Sequence, residues 1–454
     1  MSKKPDIYGA YDAQKLSWQS LANLLKGHGV TAVYAKVLAP NDNSKNQIYL
    51  GGNLSAVNVI PMTHIELFHP ESKKKTIKRD SLLIRGKVNL RWMDFTGATY
   101  KAPEAKMILY PQYPEVRFSG FMQGCPANLS EWMQPQKSGR LAGRILIIGI
   151  DQNNSCYGYL ALPGSRLSAD IEPQLDAARE KHALRKIEIP RSDGMSTEDV
   201  LISELRRVYL KSPIASKKLN NKTGLAEPYL ARNGAGYTLE AELGVGPNGI
   251  AGPDFKGWEV KADGSSAITL LTPEPDGGIY TTEGFDYFMR KYGYPDNSGK
   301  KDRVNFGGVH KADKRSPKAG LTLRVIGYSS AGEFDPEGSI ILYDDASEAA
   351  MSWSFVKLIS HWNKKHAQTA FVRYTKVQRN KINYYSYSNF VRLGQGTDFD
   401  KFIRAVHNQH IYYDPGLKIE KLKSGKLEKK RRSQFRVSPK NLSNLYNNWA
   451  KREF

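Results

Sequence analysis

The stretch Pro253-Asp254-Phe255-Lys256-Gly257-Trp258-Glu259-Val260-Lys261 sets one carboxylate a few residues ahead of a second, with a lysine two positions further on. In an extended strand side chains alternate, so Glu259 and Lys261 share one face while Trp258, Val260 and Ala262 share the other. The spacing predicts a strand with one dry face and one that carries chemistry. Two carboxylates converging on a point suit a hard divalent cation such as Mg2+, which prefers oxygen ligands. An ammonium beside them orients or deprotonates a bound water, a set suited to metal-assisted phosphodiester hydrolysis. The competing reading of the same spacing is a solvated strand face with an ordinary cross-pair.

The surroundings favour a site. Pro253 promotes an extended approach and Gly257 permits close backbone contact. A Gly/Pro/Asn-rich loop, Gly244 to Gly252, separates the strand from a short helix read as capped by Thr238 and stopped by Gly244. From that helix Glu240 projects toward the strand as a third carboxylate. Glu242 lies about 200° around the helix from it, so only one of the two faces the site.

At 454 residues the chain exceeds what one core serves, and two domains are expected. Hydrophobic content of 40% and aromatic content of 11% suffice for packed cores. Lys+Arg of 67 against Asp+Glu of 45 leaves +22, which points to a polyanionic partner and to nucleic acid before an acidic small molecule. A merely solubilising surface is the alternative. Cys125 and Cys156 stand in no metal-ligand spacing, which argues against zinc and fits buried thiols in a reducing cytosol. The start lacks an apolar export core, and the aliphatic run Ile145 to Ile150 is too short to span a bilayer, so a cytoplasmic protein with no membrane contact is expected.

Residues 1–190 read as a β-rich domain. A helix around Leu16 to Leu25 precedes strands at Val30 to Leu38, Gln47 to Leu50, Leu82 to Met93, Met107 to Tyr110, Arg144 to Ile150 and Tyr157 to Leu162. Ile171 to Asp193 is charged with a helical middle, and Ile189 to Gly194 suits a domain join. In residues 191–454, Ser196-Thr-Glu-Asp199 forms a capping box before the stripe Val200, Leu201, Leu205, Val208 and Tyr209. A strand at Ile268 to Leu271, a helix through Phe285, Phe288, Met289 and Tyr292, a strand at Leu321 to Tyr328 and helices after Asp345 and Thr397 predict an alternating α/β pattern. A last helix is expected from Ser438-Pro439, with Leu442, Leu445, Tyr446 and Trp449 inward.

The run Gly236-Tyr-Thr-Leu-Glu240, then Asn248, then Pro253 to Lys261 resembles the MvaI/BcnI family of restriction endonucleases, relatives of the mismatch-repair nickase MutH among the PD-(D/E)xK nucleases. The similarity spans roughly residues 195–450 by order of motifs. It implies an α/β (α+β) restriction-endonuclease-like, MutH-type catalytic domain behind the N-terminal β-rich domain, which is extra relative to the small members. It also implies that Asp254 and Glu259 hold Mg2+, that Lys261 places or activates the attacking water, and that Glu240, which follows Leu239 as in the family motif, aids the metal or the water. The implied activity is type II cleavage of double-stranded DNA at a short specific site, leaving 5′-phosphate and 3′-hydroxyl ends. A monomer cutting both strands by successive nicks, with dimerisation left open, and a cognate DNA methyltransferase as genetic partner complete the picture. The other readings are a MutH-like repair nickase recruited by a partner, a DNA-binding module with a vestigial nuclease site, and an RNA-binding protein sharing only the charge balance.

DNA contacts are expected from the cation-dense Lys418 to Arg436, which resembles the family's C-terminal basic stretch, with Arg431, Arg432 and Arg436 foremost. Arg373 and Tyr385 lie in mixed aromatic and basic segments that fit a groove, or else a half-buried strand. Lys311 belongs to the glycine-led basic segment Gly307 to Arg315, read as a clamp over the backbone or as a plain connection. His310 carries no catalytic claim, and Asp344-Asp345 reads as a helix start. In the first domain, Tyr110 to Phe121 is read as a recognition edge or as core packing, and Lys73 to Arg79 as a second basic cluster.

Overall fold

Short β-branched runs broken by turn residues favour strands. The computed structural model describes residues 4–40, 47–51, 59–69, 82–110, 115–129, 132–133, 142–177, 183–190, 195–231, 233–246, 254–264, 267–297, 299–329, 334–362, 366–422 and 424–454. Up to Ile187 it contains two sheets. The six-stranded one runs Arg185–Ile187, Val30–Leu38, Arg144–Asp151, Cys156–Ala161, Leu90–Met93, Thr99–Ala102. Arg144–Asp151 and Cys156–Ala161 are buried along their whole length, which is why they read as nearly unbroken apolar runs. Helix Trp18–Gly27, capped by Ser17, lays Leu21, Ala22 and Leu25 into this core.

The five-stranded sheet runs Ile48–Tyr49, Glu115–Ser119, Lys106–Tyr110, Leu83–Lys87, Thr63–Phe68. The single strand expected over Leu82 to Met93 is therefore two, because the chain leaves one sheet after Lys87 and enters the other at Leu90. At the corner the Val88 N–H donates to the Ala105 carbonyl at 2.9 Å. Apolar patterning cannot reveal such a change of sheet. Both cysteines are buried, and burial, then Asp151, pushes the Cys156 thiol up to about 12.

The join falls partly on residues 191–194, outside the described residues. Helix Thr197–Lys211 then opens with the capping box, Ser196 accepting from the Asp199 N–H and Asp199 from the Ser196 N–H. The sheet beneath it orders Ile214–Ala215, Ile382–Gln395, Gln368–Arg379 and Glu259–Asp263, and Asn448–Glu453 also pairs with Ile382–Gln395. Glu259–Asp263 runs parallel to Gln368–Arg379, which forms a long hairpin with Ile382–Gln395. Helices Thr197–Lys211 and Gly234–Glu242 cover one face through Leu201, Leu205, Val208 and Leu239 against Trp258, Val260, Ala370 and Val372.

The alternating α/β pattern does not continue. Residues 268–354 and 411–437 build three small antiparallel sheets among the described residues instead, partly from hairpins such as Gly416–Lys421 with Leu427–Lys430 and partly from strands distant in sequence, as Ile268–Leu271 with Phe435–Val437. Helices Phe285–Tyr292, Phe355–Trp362 and Phe399–His407 pack among them, and the apolar core of this lobe is continuous with that of the first 190 residues. The expected last helix is a 3-10 turn, Pro439–Leu445, which leads into strand Asn448–Glu453. Leu442, Leu445 and Tyr446 are buried as the periodicity requires, but an open sheet edge captures the chain beyond them. Asp344 starts no helix: its Oδ1 accepts from the Ala346 and Glu348 N–H groups, and this local turn joins Phe334–Tyr343 to Ala349–Ser354. Helix Gly234–Glu242 begins before Thr238, whose hydroxyl instead bonds the Lys217 backbone, and Gly244 at φ +75° closes it. Among the described residues no helix is long and apolar enough to cross a membrane.

Candidate active site and nucleic-acid interface

Asp254 and Glu259 flank a two-residue reversal. Phe255 and Trp258 exchange both backbone hydrogen bonds, at 2.9 and 2.8 Å. Between them Lys256 and Gly257 hold φ of +49° and +86°, the left-handed values of a type I′ turn. Such a turn makes the residues outside it cross-strand neighbours, so hairpin geometry brings the two carboxylates together. The Val260 N–H donates to Asp254 Oδ2 at 3.0 Å. Pro253 and Asn248 lie outside the described residues.

From the turn the chain enters Glu259–Asp263 with Trp258 and Val260 in the core, leaving Glu259 and Lys261 on the opposite face. That face is not open, for Glu259 is only 3% exposed. Thr369 is in register with Glu259 and Gly394 with Thr369. The Tyr446 hydroxyl donates to Thr369 Oγ1 at 3.0 Å. At Gly394 a Cβ would lie 2.6 Å from the Tyr446 ring, so only glycine lets the ring settle there. Burial raises the Tyr446 phenol well above its ordinary value, and the nearby Glu259 adds to this.

Lys261 Nζ donates to Glu259 Oε1 at 2.9 Å. Burial works against the ammonium, but Glu259, Asp254 and Glu240 outweigh it and the Lys261 pKa is raised, so the group stays charged. The Asp254 carboxyl is pushed up to about 7, by burial first and by Glu259 second. Glu259 Oε2 is buried and has no hydrogen-bond partner. A buried anionic oxygen without a donor is costly, and a cation would relieve both this oxygen and the mutual repulsion at Asp254. The donor set is oxygen only, which fits Mg2+.

The third carboxylate stands apart. Among the described residues no three His, Cys, Asp or Glu side chains are arranged to hold an ion, so Glu240 does not complete a cage. It is half-buried on helix Gly234–Glu242, near enough for its charge to act on Asp254 and Lys261. Glu242 is buried and gripped by Lys211, Lys217 and Arg207, which anchors the helix. Sequence reading passed over Asp263, which continues the alternation of Glu259 and Lys261. It is fully buried and ion-paired with Arg392, two strands away in the row of Lys261. The period-2 pattern could have flagged Asp263; its partner is visible only in three dimensions.

A groove of about 840 Å3 lies between Leu230, Ala231 and Asn233, ahead of the Glu240 helix, and the four-stranded sheet Tyr294–Pro295, Arg303–Gly307, Gly416–Lys421, Leu427–Lys430. Arg303, Lys318, Lys418, Lys430 and Arg432 line it. Of the expected DNA contacts, Arg432 is exposed and opens into this groove. Arg431 is exposed but lies over the Phe285 ring at 4.7 Å. Arg436 is half-buried, donating to Asp414 at 2.6 Å and to the Ala267 carbonyl at 3.0 Å, so it ties strands together. Tyr385 must be corrected outright: it is 1% exposed and packs in the core against Gly234. Its strand position, opposite Ile214 under the helix, decides this. Arg373 is half-exposed, in register with Asp263.

The basic segment Gly307 to Arg315 is tied down rather than a free clamp. His310 exchanges backbone bonds with Tyr413 at 2.8 and 3.0 Å, and Arg315 makes a two-point pair with Asp345. Burial lowers the His310 pKa to about 4, and Lys311 beside it stays half-exposed. Within the first 190 residues, Phe118 and Phe121 are core residues and Arg117 pairs with Glu115. Lys73 to Arg79 and Pro111 to Pro114 lie outside the described residues.

Residues 202–446 match the profile described as the MvaI/BcnI restriction endonuclease family. Among solved structures, the chain is similar to a restriction endonuclease MvaI–cognate DNA substrate complex, with TM-score 0.43 and 17% identity over 57% of this chain and 99% of that one. It is also similar to restriction endonuclease MvaI in the absence of DNA, with TM-score 0.32 and 16% identity over 57% and 98%. No curated protein matches the sequence.

Proposed function

Because the chain belongs to the MvaI/BcnI restriction endonuclease family and is thereby a site-specific deoxyribonuclease, we propose that it hydrolyses duplex DNA at a short site with Mg2+, leaving 5′-phosphate and 3′-hydroxyl ends. The centre is a MutH-type PD-(D/E)xK site within residues 191–454, and residues 1–190 form an accessory domain. One observation carries this reading: Asp254 and Glu259 face each other across a type I′ turn, and Glu259 keeps one buried oxygen unsatisfied while Lys261 engages the other.

Asp254 and Glu259 would hold the cation, whose charge would offset that gathering on the scissile phosphate and the departing oxygen. Lys261, donating to Glu259 Oε1, turns that carboxylate so that Oε2 points away from the ammonium and is left for a ligand. The same ammonium is placed to orient an attacking water. Asp254 gives up its proton as the site loads, and Glu240 acts through its field from the neighbouring helix. Arg432, Arg303 and Lys318, lining the groove, supply charge for the DNA backbone. A cognate methyltransferase is the genetic partner such an enzyme requires, since its own genome carries the target.

Supercoiled plasmid incubated with the purified chain and Mg2+, with the ends then sequenced, tests the proposal. Discrete fragments with ligatable 5′-phosphate ends, abolished by EDTA, are expected. Inert plasmid, or single-strand nicks that appear only with a second protein, would overturn it, the latter in favour of a repair nickase.

A further inference from the structure

We infer that Lys186, on the edge strand of the first domain, is a positioning residue for the nuclease centre, so that the accessory domain supports the active site. This rests on the nuclease reading and deepens it. Lys186 lies in register with Tyr34, on the strand Arg185–Ile187 at the rim of the six-stranded sheet. Its ammonium crosses to the other domain. Nζ donates to Gln368 Oε1 at 3.0 Å and to Thr197 Oγ1 at 2.9 Å, and lies 5.8 Å from the Trp258 ring centroid.

Each of those three residues adjoins the site. Gln368 opens the strand whose next residue, Thr369, is in register with Glu259. Trp258 closes the type I′ turn and directly precedes Glu259. Thr197 begins the helix that covers the catalytic sheet. The tip of the turn passes near the strand Val30–Leu38, where a Cβ built at Gly257 would lie 3.8 Å from the Thr31 carbonyl oxygen and 3.9 Å from Ala32 Cβ. The turn that sets Asp254 against Glu259 is thus held from outside its own domain by Lys186 at its base. A hard cation is held by the placement of its oxygen ligands, so a contact that orients those carboxylates tells on affinity. The Lys186 side chain is only 14% exposed and Gln368 is buried, so loss of the ammonium strands the amide oxygen.

Calorimetric titration of the full chain with Ca2+ in the absence of DNA, where no turnover can occur, separates positioning from mere cohesion. K186M and, from the nuclease side of the same contact, Q368M are expected to raise the Ca2+ dissociation constant on the order of tenfold. Melting should stay cooperative and metal-free duplex binding within about twofold of wild type, while K186R restores Ca2+ binding to within about threefold. Wild-type Ca2+ affinity in either folded variant would overturn the inference, as would weakened binding accompanied by loss of the melting transition, which marks a structural role only. Wild-type protein that binds neither Ca2+ nor Mg2+ would refute the nuclease reading itself.

Discussion

The turn at residues 254–261 and the basic C-terminal stretch invite the same kind of reading, a cluster of charges taken for a site, and they come out differently. Around residues 254–261 the charges stay directed at one another and at a buried, unsatisfied oxygen. Along Lys418 to Arg436 several are spent on neighbours, Lys418 on Glu420 and Glu428, Lys429 on Asp286 and Arg436 on Asp414, while Arg432 opens into the groove. Backbone geometry that forces groups together makes a site; density of charge along the chain only supplies candidates, which sheet partners then claim.

The sharpest way to break that contrast is Lys261→Ala. Cleavage should fall by roughly three orders of magnitude or more while gel-shift binding to duplex in Ca2+ persists. Retained cleavage would put the turn on a level with any charge cluster.

Asp254 gives the next largest effect. The folded protein keeps its proton up to about pH 7, whereas the unfolded chain releases it near the ordinary carboxylate value. The folded state therefore binds more protons in between, and metal-free stability falls as pH rises from about 4 to about 7. Across that window denaturant melts should lose on the order of 4 kcal/mol relative to Asp254→Asn. Identical pH profiles for the two proteins would show that neither burial nor Glu259 raises the Asp254 carboxyl.

In the basic stretch, Arg436→Ala should lower unfolding free energy by about 2 kcal/mol in urea, without altering the salt dependence of DNA binding, because it breaks a half-buried pair. Arg432→Ala should do the reverse, with an unchanged melting temperature, about tenfold weaker binding and a log–log salt slope reduced by about one. Should Arg436→Ala change the slope instead, the division between claimed and available cations fails.

How far each feature was legible depends on its range along the chain. The strand Val30–Leu38, helix Phe285–Tyr292 and the capping box at Ser196 need only neighbours within a few residues, and they fold as the sequence predicts. The break at Val88, the strand that replaces the last helix and the burial of Tyr385 depend on which distant edge or helix lies alongside, which no local pattern encodes.

By itself the sequence determined that Glu259 and Lys261 would share one strand face, because strand alternation is local and nearly context-free; the reversal at Lys256-Gly257, where an extended approach was expected, is visible only in the structure. Only the tertiary structure decided that Glu240 stands outside the pair, that Tyr446 closes the face, that Lys186 reaches Gln368 from the first 190 residues and that Arg432 opens into the groove while Arg436 is bound. Burial and ion pairing depend on groups brought from far along the chain, and a charge acquires its partner only when the sheets have assembled.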